Sequence, residues 1–416
     1  RGEILTVPKE FGDVRHLTAS PGAHDRNPIW SPDGNTIAWF SDKSGEYQLL
    51  VSDQLGREEP RVFDLDGAGF YDNPMFSPDG KHILYTDKGN RIAYITLESS
   101  VITEVAVVQG SLGTVSPSYD WSSDSQWVAF ENRNPITLYD HIALFELASG
   151  STTNLTDSFG AAASPAFSRD GAYLYFFASI NRGPHFQGLN MSTQVTRDWD
   201  GNLYACVLKA DGENPLFPES DEGVEDKSSE VAPPSEGEDE NGVDLVVVPT
   251  DSADGEETKE DAPKGPSIDL EGLEGRILAL PLPRGNYSDL AGGDEKLYFR
   301  ERGEGRSSAL KSFDFSSKKA TTVKDGVNGY QVSADGKSLL LFDDSNTITD
   351  ASGGDGKALP INSVKVYVDP RAEWPQILRE VWRIERDYFY DSNMHGVDWD
   401  KMPARWMAMV PYVQHR

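Results

Sequence analysis

A short turn signature recurs along this chain at the interval of one propeller blade. The two clearest copies are Pro28-Ile29-Trp30-Ser31-Pro32-Asp33-Gly34 and Pro74-Met75-Phe76-Ser77-Pro78-Asp79-Gly80. Weaker copies stand at Trp121-Ser122-Ser123-Asp124-Ser125, Phe167-Ser168-Arg169-Asp170-Gly171 and Val332-Ser333-Ala334-Asp335-Gly336. Asp33, Asp79, Asp124 and Asp170 are spaced 46, 45 and 46 residues apart, the size of a four-stranded blade. In each copy an apolar strand enters a tight turn, where proline fixes φ, aspartate accepts local hydrogen bonds and glycine takes a positive φ. Alternating or apolar strands leave it, such as Thr36-Ile37-Ala38-Trp39-Phe40 and Tyr173-Leu174-Tyr175-Phe176-Phe177. One such unit cannot bury both faces of its sheet, but a ring of them can.

After Asp170 the rhythm is interrupted and then resumes. Gly293-Asp294-Glu295-Lys296-Leu297-Tyr298-Phe299 reads as a degenerate turn and strand, and Asp335 follows Asp294 by 41 residues. Six blades are therefore marked, and the opening run at residues 3–7 reads as the outer strand of another. The expected fold is all-β: a seven-bladed β-propeller over residues 1–369, slightly truncated at the N-terminus, with six or eight blades as the alternatives. The first helices of an α-helical domain follow at 371–416.

The interruption is acidic. Residues 219–261 hold 17 Asp or Glu against Lys227 and Lys259, which is half of the formal net charge of -30. The segment 219–265 reads as a disordered insertion within a blade, because its charges have no periodic spacing; binding to a basic partner is the alternative. The overall charge argues against nucleic acid or an anionic membrane as a partner. No apolar run has the length of a membrane span. Cys206, the single cysteine, rules out an internal disulfide and fits a reducing, cytoplasmic location, with a periplasmic one left open. The chain begins without Met or a signal peptide, so the natural N-terminus is expected further upstream.

From residue 371 the period changes. Trp374, Ile377, Leu378, Val381, Trp382, Tyr388 and Phe389 recur at three and four residues, giving one apolar helical face broken by Glu385. A second helix is expected over 400–413, with Met402, Trp406, Met409 and Val413 on one face. These faces need a partner surface, so a further domain is expected beyond Arg416.

Chemistry is sparse. The seven histidines form no H-E-x-x-H pair or local metal cluster, and no Gly-x-Ser-x-Gly elbow occurs. Asp64-x-Asp66-Gly67 has only part of a calcium loop and reads as a turn. Gly67-Ala68-Gly69, Gly292-Gly293 and Gly353-Gly354 lack the strand–helix setting of a phosphate loop. His24 and Asp25 are expected in a rim loop, as a ligand site or as ordinary loop polarity. His395, between the helices, reads as a structural residue of the turn, with a catalytic role as the weaker alternative. Glycosylation acceptor motifs at Asn154, Asn190 and Asn286 have meaning only on an export route. No residue is assigned as catalytic, cofactor-binding or metal-ligating, and no cofactor is expected.

Several segments together resemble the tricorn protease family. Arg1-Gly2-Glu3-Ile4-Leu5-Thr6-Val7-Pro8, Arg15-His16-Leu17-Thr18 and Pro21-Gly22-Ala23-His24-Asp25-Arg26 are similar to the opening of its second propeller, as is Ile277-Leu278-Ala279-Leu280-Pro281-Leu282-Pro283. Glu380-Val381-Trp382-Arg383-Ile384-Glu385-Arg386-Asp387-Tyr388-Phe389-Tyr390, followed by Asn393 to Trp399, resembles the start of its helical C1 domain. The resemblance implies a substrate-gating propeller of a serine peptidase that cleaves short peptides and assembles as a homo-oligomer, a hexamer. It also implies that the catalytic His lies further along C1, and the nucleophilic Ser with its acid in a C2 domain, so none matches a residue here. Competing readings are a non-enzymatic, TolB-like propeller for protein–protein interaction and a prolyl oligopeptidase-type gate. The helical tail argues against both.

Overall fold

The computed structural model describes residues 2–67, 69–109, 117–157, 160–181, 185–186, 189–190, 200–217, 268–303, 308–361 and 364–415. Among them, six antiparallel four-stranded sheets follow one another along the chain, their strands side by side in chain order; in the fourth, the short pair His185–Phe186 and Leu189–Asn190 comes between the second and third strands. Blade I comprises Asp25–Trp30, Thr36–Ser41, Gln48–Asp53 and Arg61–Phe63. Blade II comprises Asp72–Phe76, His82–Thr86, Arg91–Thr96 and Ile102–Val107. Blade III is formed by Tyr119–Trp121, Trp127–Arg133, Asp140–Glu146 and Ser151–Asn154. Blade IV takes Ala161–Phe167, Tyr173–Ser179, Asn202–Val207 and Ile277–Ala279. Blade V follows with Asn286–Gly292, Lys296–Arg302, Ser308–Asp314 and Lys319–Asp325. Blade VI has Tyr330–Val332, Ser338–Leu341, Thr347–Asp350 and Lys357–Ala358.

The seventh unit is a two-stranded sheet, Leu5–Thr6 paired with Arg15–His16. Ile4 from its first arm is buried with Ile37, Trp39 and Leu50 of blade I, and Lys357 of blade VI lies 5.9 Å over the Phe11 ring. The sheet therefore touches both blades I and VI. The ring is a propeller of six complete blades and this partial one. The acidic segment 219–265 falls between the third and fourth strands of blade IV and lies outside the described residues.

Apolar clusters fill the gaps between blades. Phe40 and Leu49 of blade I pack with Ile83 and Tyr85 of blade II, and Tyr175 and Phe177 of blade IV with Leu297 and Phe299 of blade V. The central strands of blades I to IV bury both faces, which explains why these segments read as almost continuous apolar runs.

The marker turns are built on serine as much as on proline or glycine. Ser77 Oγ donates to Asp79 Oδ1 at 2.6 Å and accepts the His82 N–H at 3.0 Å. Asp79 Oδ1 also accepts the Lys81 N–H at 3.0 Å, and the Gly80 N–H donates to Ser77 O at 2.8 Å. The same arrangement recurs at Ser31/Asp33, Ser122/Asp124, Ser168/Asp170 and Ser333/Asp335. In blade III Ser125 takes the glycine position at φ 61°. In blade V the degenerate turn closes by the Gly293 N–H donating to Lys296 O at 2.8 Å, with Glu295 at φ 52°.

The first strands of blades I and II, of III and IV, and of IV and V pack on one another, which places the first strands around the axis of the ring. Four of them carry a bulge whose residue is left-handed without being glycine: Asn27, Asn73, Ser164 and Asp289. Each bulge is tied to a neighbouring blade. Asn27 Nδ2 donates to Asp72 at 2.5 Å, the Ser164 N–H to Glu131 at 2.7 Å, and Tyr330 OH to Asp289 O at 2.5 Å; Tyr119 OH donates to Asn73 O.

The helical region departs from expectation. Helix α1 spans Pro370–Tyr388, N-capped by Asp369, and agrees with the predicted position. The second helix does not run over 400–413. It is a 3₁₀ turn Trp399–Lys401, helix α2 Met402–Met407, and another 3₁₀ turn Val410–Tyr412. Pro411 supplies the reason: it has no N–H to give to an α-helical ladder and is tolerated where a new turn begins.

Candidate functional site

Helix α1 lies on the rim formed by the loops between second and third strands and those that enter each first strand. Its buried stripe is polar. Gln376, Glu380, Arg383 and Asp387 recur at four, three and four residues and face blades I and II, whereas Val381 is 52% exposed and Ile384 40%. The apolar periodicity seen in the sequence is the helix's other face, in part covered by Trp382 and Trp399, each of which donates its indole N–H to the other's backbone carbonyl.

Arg383 is the centre of this stripe. Its guanidinium contacts Asp42 and Glu380, donates to Gly45 O at 2.5 Å and stacks 4.8 Å over Tyr47. Gln376 Nε2 donates to Asp42 at 3.0 Å, and the backbone N–H of His24 to the other oxygen of Asp42 at 2.6 Å. Tyr47 OH donates to Glu380 at 2.9 Å, and His24 Nδ1 lies 2.9 Å from the same hydroxyl and 3.6 Å from Glu380. Further along, Arg386 forks onto Glu46 at 2.7 and 2.9 Å, and Lys88 of blade II donates to Asp387 O at 2.5 Å. Phe70, in the loop joining blades I and II, meets Tyr388 edge-on at 5.4 Å.

The electrostatics follow from these contacts. Burial pushes the Glu380 carboxyl up, but hydrogen bonds from His24, Arg383 and Tyr47 outweigh it and hold the group at about 2. Arg383 is raised despite its burial, because Asp42 and Glu380 stabilise the cation. Burial and the neighbouring Glu380 charge push the Tyr47 phenol well up. Glu380 and Arg383 are therefore both charged near neutral pH.

Beside it is a cleft of about 230 Å³ between the first arm of the chain and α1, lined by Glu3, Ser20, His24, Val368, Ile377 and Glu380 among others. His24 thus does lie at a rim, where it joins the propeller to the helix. Asp25 begins blade I and accepts the Ser20 hydroxyl at 2.5 Å, so Ser20 is committed to Asp25 and not to His24. His395 sits in the turn after α1 at φ 52°, its Nε2 2.5 Å from Tyr390 OH and its Nδ1 3.2 Å from Asp391. Through these two contacts it ties the turn together. Asp66 is tied to Arg91 and Asp64 to Gln48, which accounts for the calcium-like fragment as turn structure. No grouping of three or more potential metal ligands occurs among the described residues. Cys206 is buried, its thiol pushed up to about 12 by desolvation.

The axial wall contributes one further titrating group. Asp120, on the first strand of blade III, accepts the Phe167 N–H of blade IV at 2.8 Å, and desolvation pushes its carboxyl up to about 7. Neither this group nor the polar stripe of α1 was singled out from sequence. The stripe's spacing was present, but apolar periodicity drew attention to the opposite face.

Comparison with known proteins agrees with this architecture. Residues 1–352 match the family described as "Tricorn protease second beta propeller domain", and residues 370–416 match "Tricorn protease C1 domain". The chain is 26% identical over 447 residues to tricorn protease homolog 1 of Streptomyces coelicolor, covering 99% of this chain and 38% of that protein. It is 22% identical to the tricorn protease homolog of Saccharolobus solfataricus, covering 100% of this chain and 36% of the relative. The crystal structure of the tricorn protease shares the fold, with a TM-score of 0.72 at 15% identity, over 100% of this chain and 40% of that one. The chain therefore spans well under half the length of these relatives, and it belongs to the tricorn protease family, comprising the second propeller and the start of the C1 domain.

Proposed function

We propose that this chain is the non-catalytic, substrate-gating part of a serine peptidase that hydrolyses short peptides. The observation that carries the reading is the buried polar docking of α1 on the propeller rim through Arg383, Asp42 and Glu380. A ring fastened this firmly to the first helix of a C1-type domain fixes its opening relative to whatever that domain carries. A propeller opening admits an extended chain and excludes a folded one, which gives a physical reason to place a ring before a peptidase centre. By resemblance, the chemistry itself is acyl transfer by a His-activated Ser in segments outside this chain, with backbone N–H groups stabilising the oxyanion. The same proposal includes peptide substrates, a homo-oligomeric and specifically hexameric whole protein, and a cytoplasmic location, the last supported by the lone cysteine.

The test is to express the full-length protein and assay short fluorogenic peptides with and without a serine-reactive phosphonate. Phosphonate-sensitive hydrolysis is expected. No inhibitable hydrolysis would overturn the peptidase reading, and hydrolysis by residues 1–416 alone would overturn the non-catalytic one.

A further inference from the structure

The marker turns meet one another on the rim opposite α1. Pro32, second in the turn of blade I, stands 3.9 Å from the position a Cβ would take on Gly80 in blade II. The Asp79 N–H of blade II donates to Ser125 Oγ of blade III at 3.0 Å. Contacts at this rim thus run from one blade to the next.

Blade IV breaks the pattern. Where blades I and II have Pro32 and Pro78, it has Arg169, and the blade after it has lost the four-residue marker and turns at Gly293-Asp294-Glu295. Arg169 uses its length to pass this trimmed turn. Its Nε lies 3.0 Å from Asp294 Oδ1 of blade V, and its Nη2 donates to Ala334 O of blade VI at 2.6 Å, with Nη1 3.5 Å from Ser333 O. The guanidinium carbon comes within 3.0 Å of the Cβ position on Gly336. The glycine of blade VI therefore meets Arg169 much as Gly80 meets Pro32, but two blades on.

Blades IV and VI are not neighbours, and these turns end the strands nearest the axis. A side chain joining them lies across the lip of the central opening, in the gap left by the trimmed turn of blade V. Its planar fork is held by a carboxylate and a carbonyl on two different blades, so it is a fixed feature of the lip and not a free surface cation. We infer that Arg169 is a bar across this opening and sets the bulk of what can thread past it, admitting an extended peptide and hindering one closed into a loop. The inference rests on the gating reading above.

The experiment uses the full-length protein and two peptides of one sequence, one linear and one closed into a loop by a disulfide, each with the same reporter at the scissile bond. The readout is the ratio of kcat/KM for the looped peptide to that for the linear one. Arg169→Ala is expected to raise this ratio about five-fold, while Asp294→Ala, which keeps the bonds to blade VI, leaves it within about two-fold. Should Arg169→Ala fail to fold, Arg169→Gln, shorter but able to hold one carbonyl, is expected to give a smaller rise in the same direction. An unchanged ratio in a folded Arg169 variant overturns the inference, as does an equal rise in Asp294→Ala, which would indicate general loosening of the ring. If the unaltered protein cleaves neither peptide, the peptidase reading falls and this inference with it; if it cleaves the linear peptide and the ratio ignores Arg169, only the inference falls.

Discussion

Arg383 of α1 and Asp42 of blade I form an ion pair with side-chain exposures of only 1% and 2%, although 341 residues separate them in the chain. Two desolvated charges at a domain junction stabilise it only while both are present. Asp42→Ala would leave the guanidinium with Glu380 and Gly45 but also strip Gln376 and the His24 N–H of their acceptor. The expected cost is about 3–5 kcal/mol, with a double variant Asp42→Ala/Arg383→Met recovering part of it. Urea unfolding of the four members of this cycle measures the coupling, and hydrogen exchange should show α1 losing protection first. Additive losses would mean that the pair is not the fastening.

A second prediction concerns the marker turns. Ser77 is fully buried, and removing its hydroxyl leaves the His82 N–H without its acceptor and Asp79 with one donor fewer, only the Lys81 N–H remaining on Oδ1. Ser77→Ala should cost about 1–3 kcal/mol, more than Pro78→Ala, whose effect of about 0.4–1 kcal/mol comes through the freedom of the unfolded chain. Denaturant midpoints of the two variants decide the order. If the proline variant proves the more damaging, the turn is held by its φ restriction and not by the serine.

What the sequence revealed, and what it concealed, follows from the range of the interactions. The blade beat, the strands leaving each turn and the position of α1 depend on residues within about fifty of one another, and all were legible. The function of Ser31, Ser77 and their counterparts was visible as a repeated letter but not as a bond, because proline and glycine have better known turn roles. The polar stripe Gln376, Glu380, Arg383, Asp387 could not be matched to partners, since Asp42, Tyr47 and Lys88 lie some three hundred residues earlier. Apolar spacing marks a different face of α1 and leaves this polar stripe unread. Pro411, at an apparently helical position, was the local signal that should have shortened the second helix.

The pH dependence should have two opposed parts. The Asp120 carboxyl is raised from 3.8 to about 7 in the fold, so the native state holds this proton more tightly than the unfolded chain. Its contribution is full at low pH and is lost as pH rises from about 4 through 7. Glu380 behaves oppositely: lowered from 4.5 to about 2, it contributes above its ordinary value and loses that contribution as pH falls towards 2. Asp120→Asn keeps an acceptor for the Phe167 N–H while removing the charge. It should raise the urea midpoint at pH 8 relative to the unaltered protein and leave little difference near pH 4. A variant that is equally affected at both pH values would show that Asp120 is not the titrating group.

The axial bulges supply the last prediction. Asn73 has φ 51° and precedes Pro74, whose ring already restricts the backbone before it. Asparagine tolerates the left-handed region, and the carbonyl turned outward there accepts the Tyr119 hydroxyl of blade III. A β-branched residue at this place meets the full steric penalty, so Asn73→Val should destabilise by about 1–3 kcal/mol. Asn73→Gly, which has no Cβ to strain, should lie within about 0.5 kcal/mol of the unaltered protein because the backbone bond to Tyr119 survives. Tyr119→Phe supplies the complementary measurement: it removes the hydroxyl but not the bulge. If the bulge serves chiefly to present its carbonyl to blade III, Tyr119→Phe and Asn73→Val are non-additive in urea unfolding; if the two losses simply add, the bulge shapes the inner strand on its own account and the latch between blades is incidental.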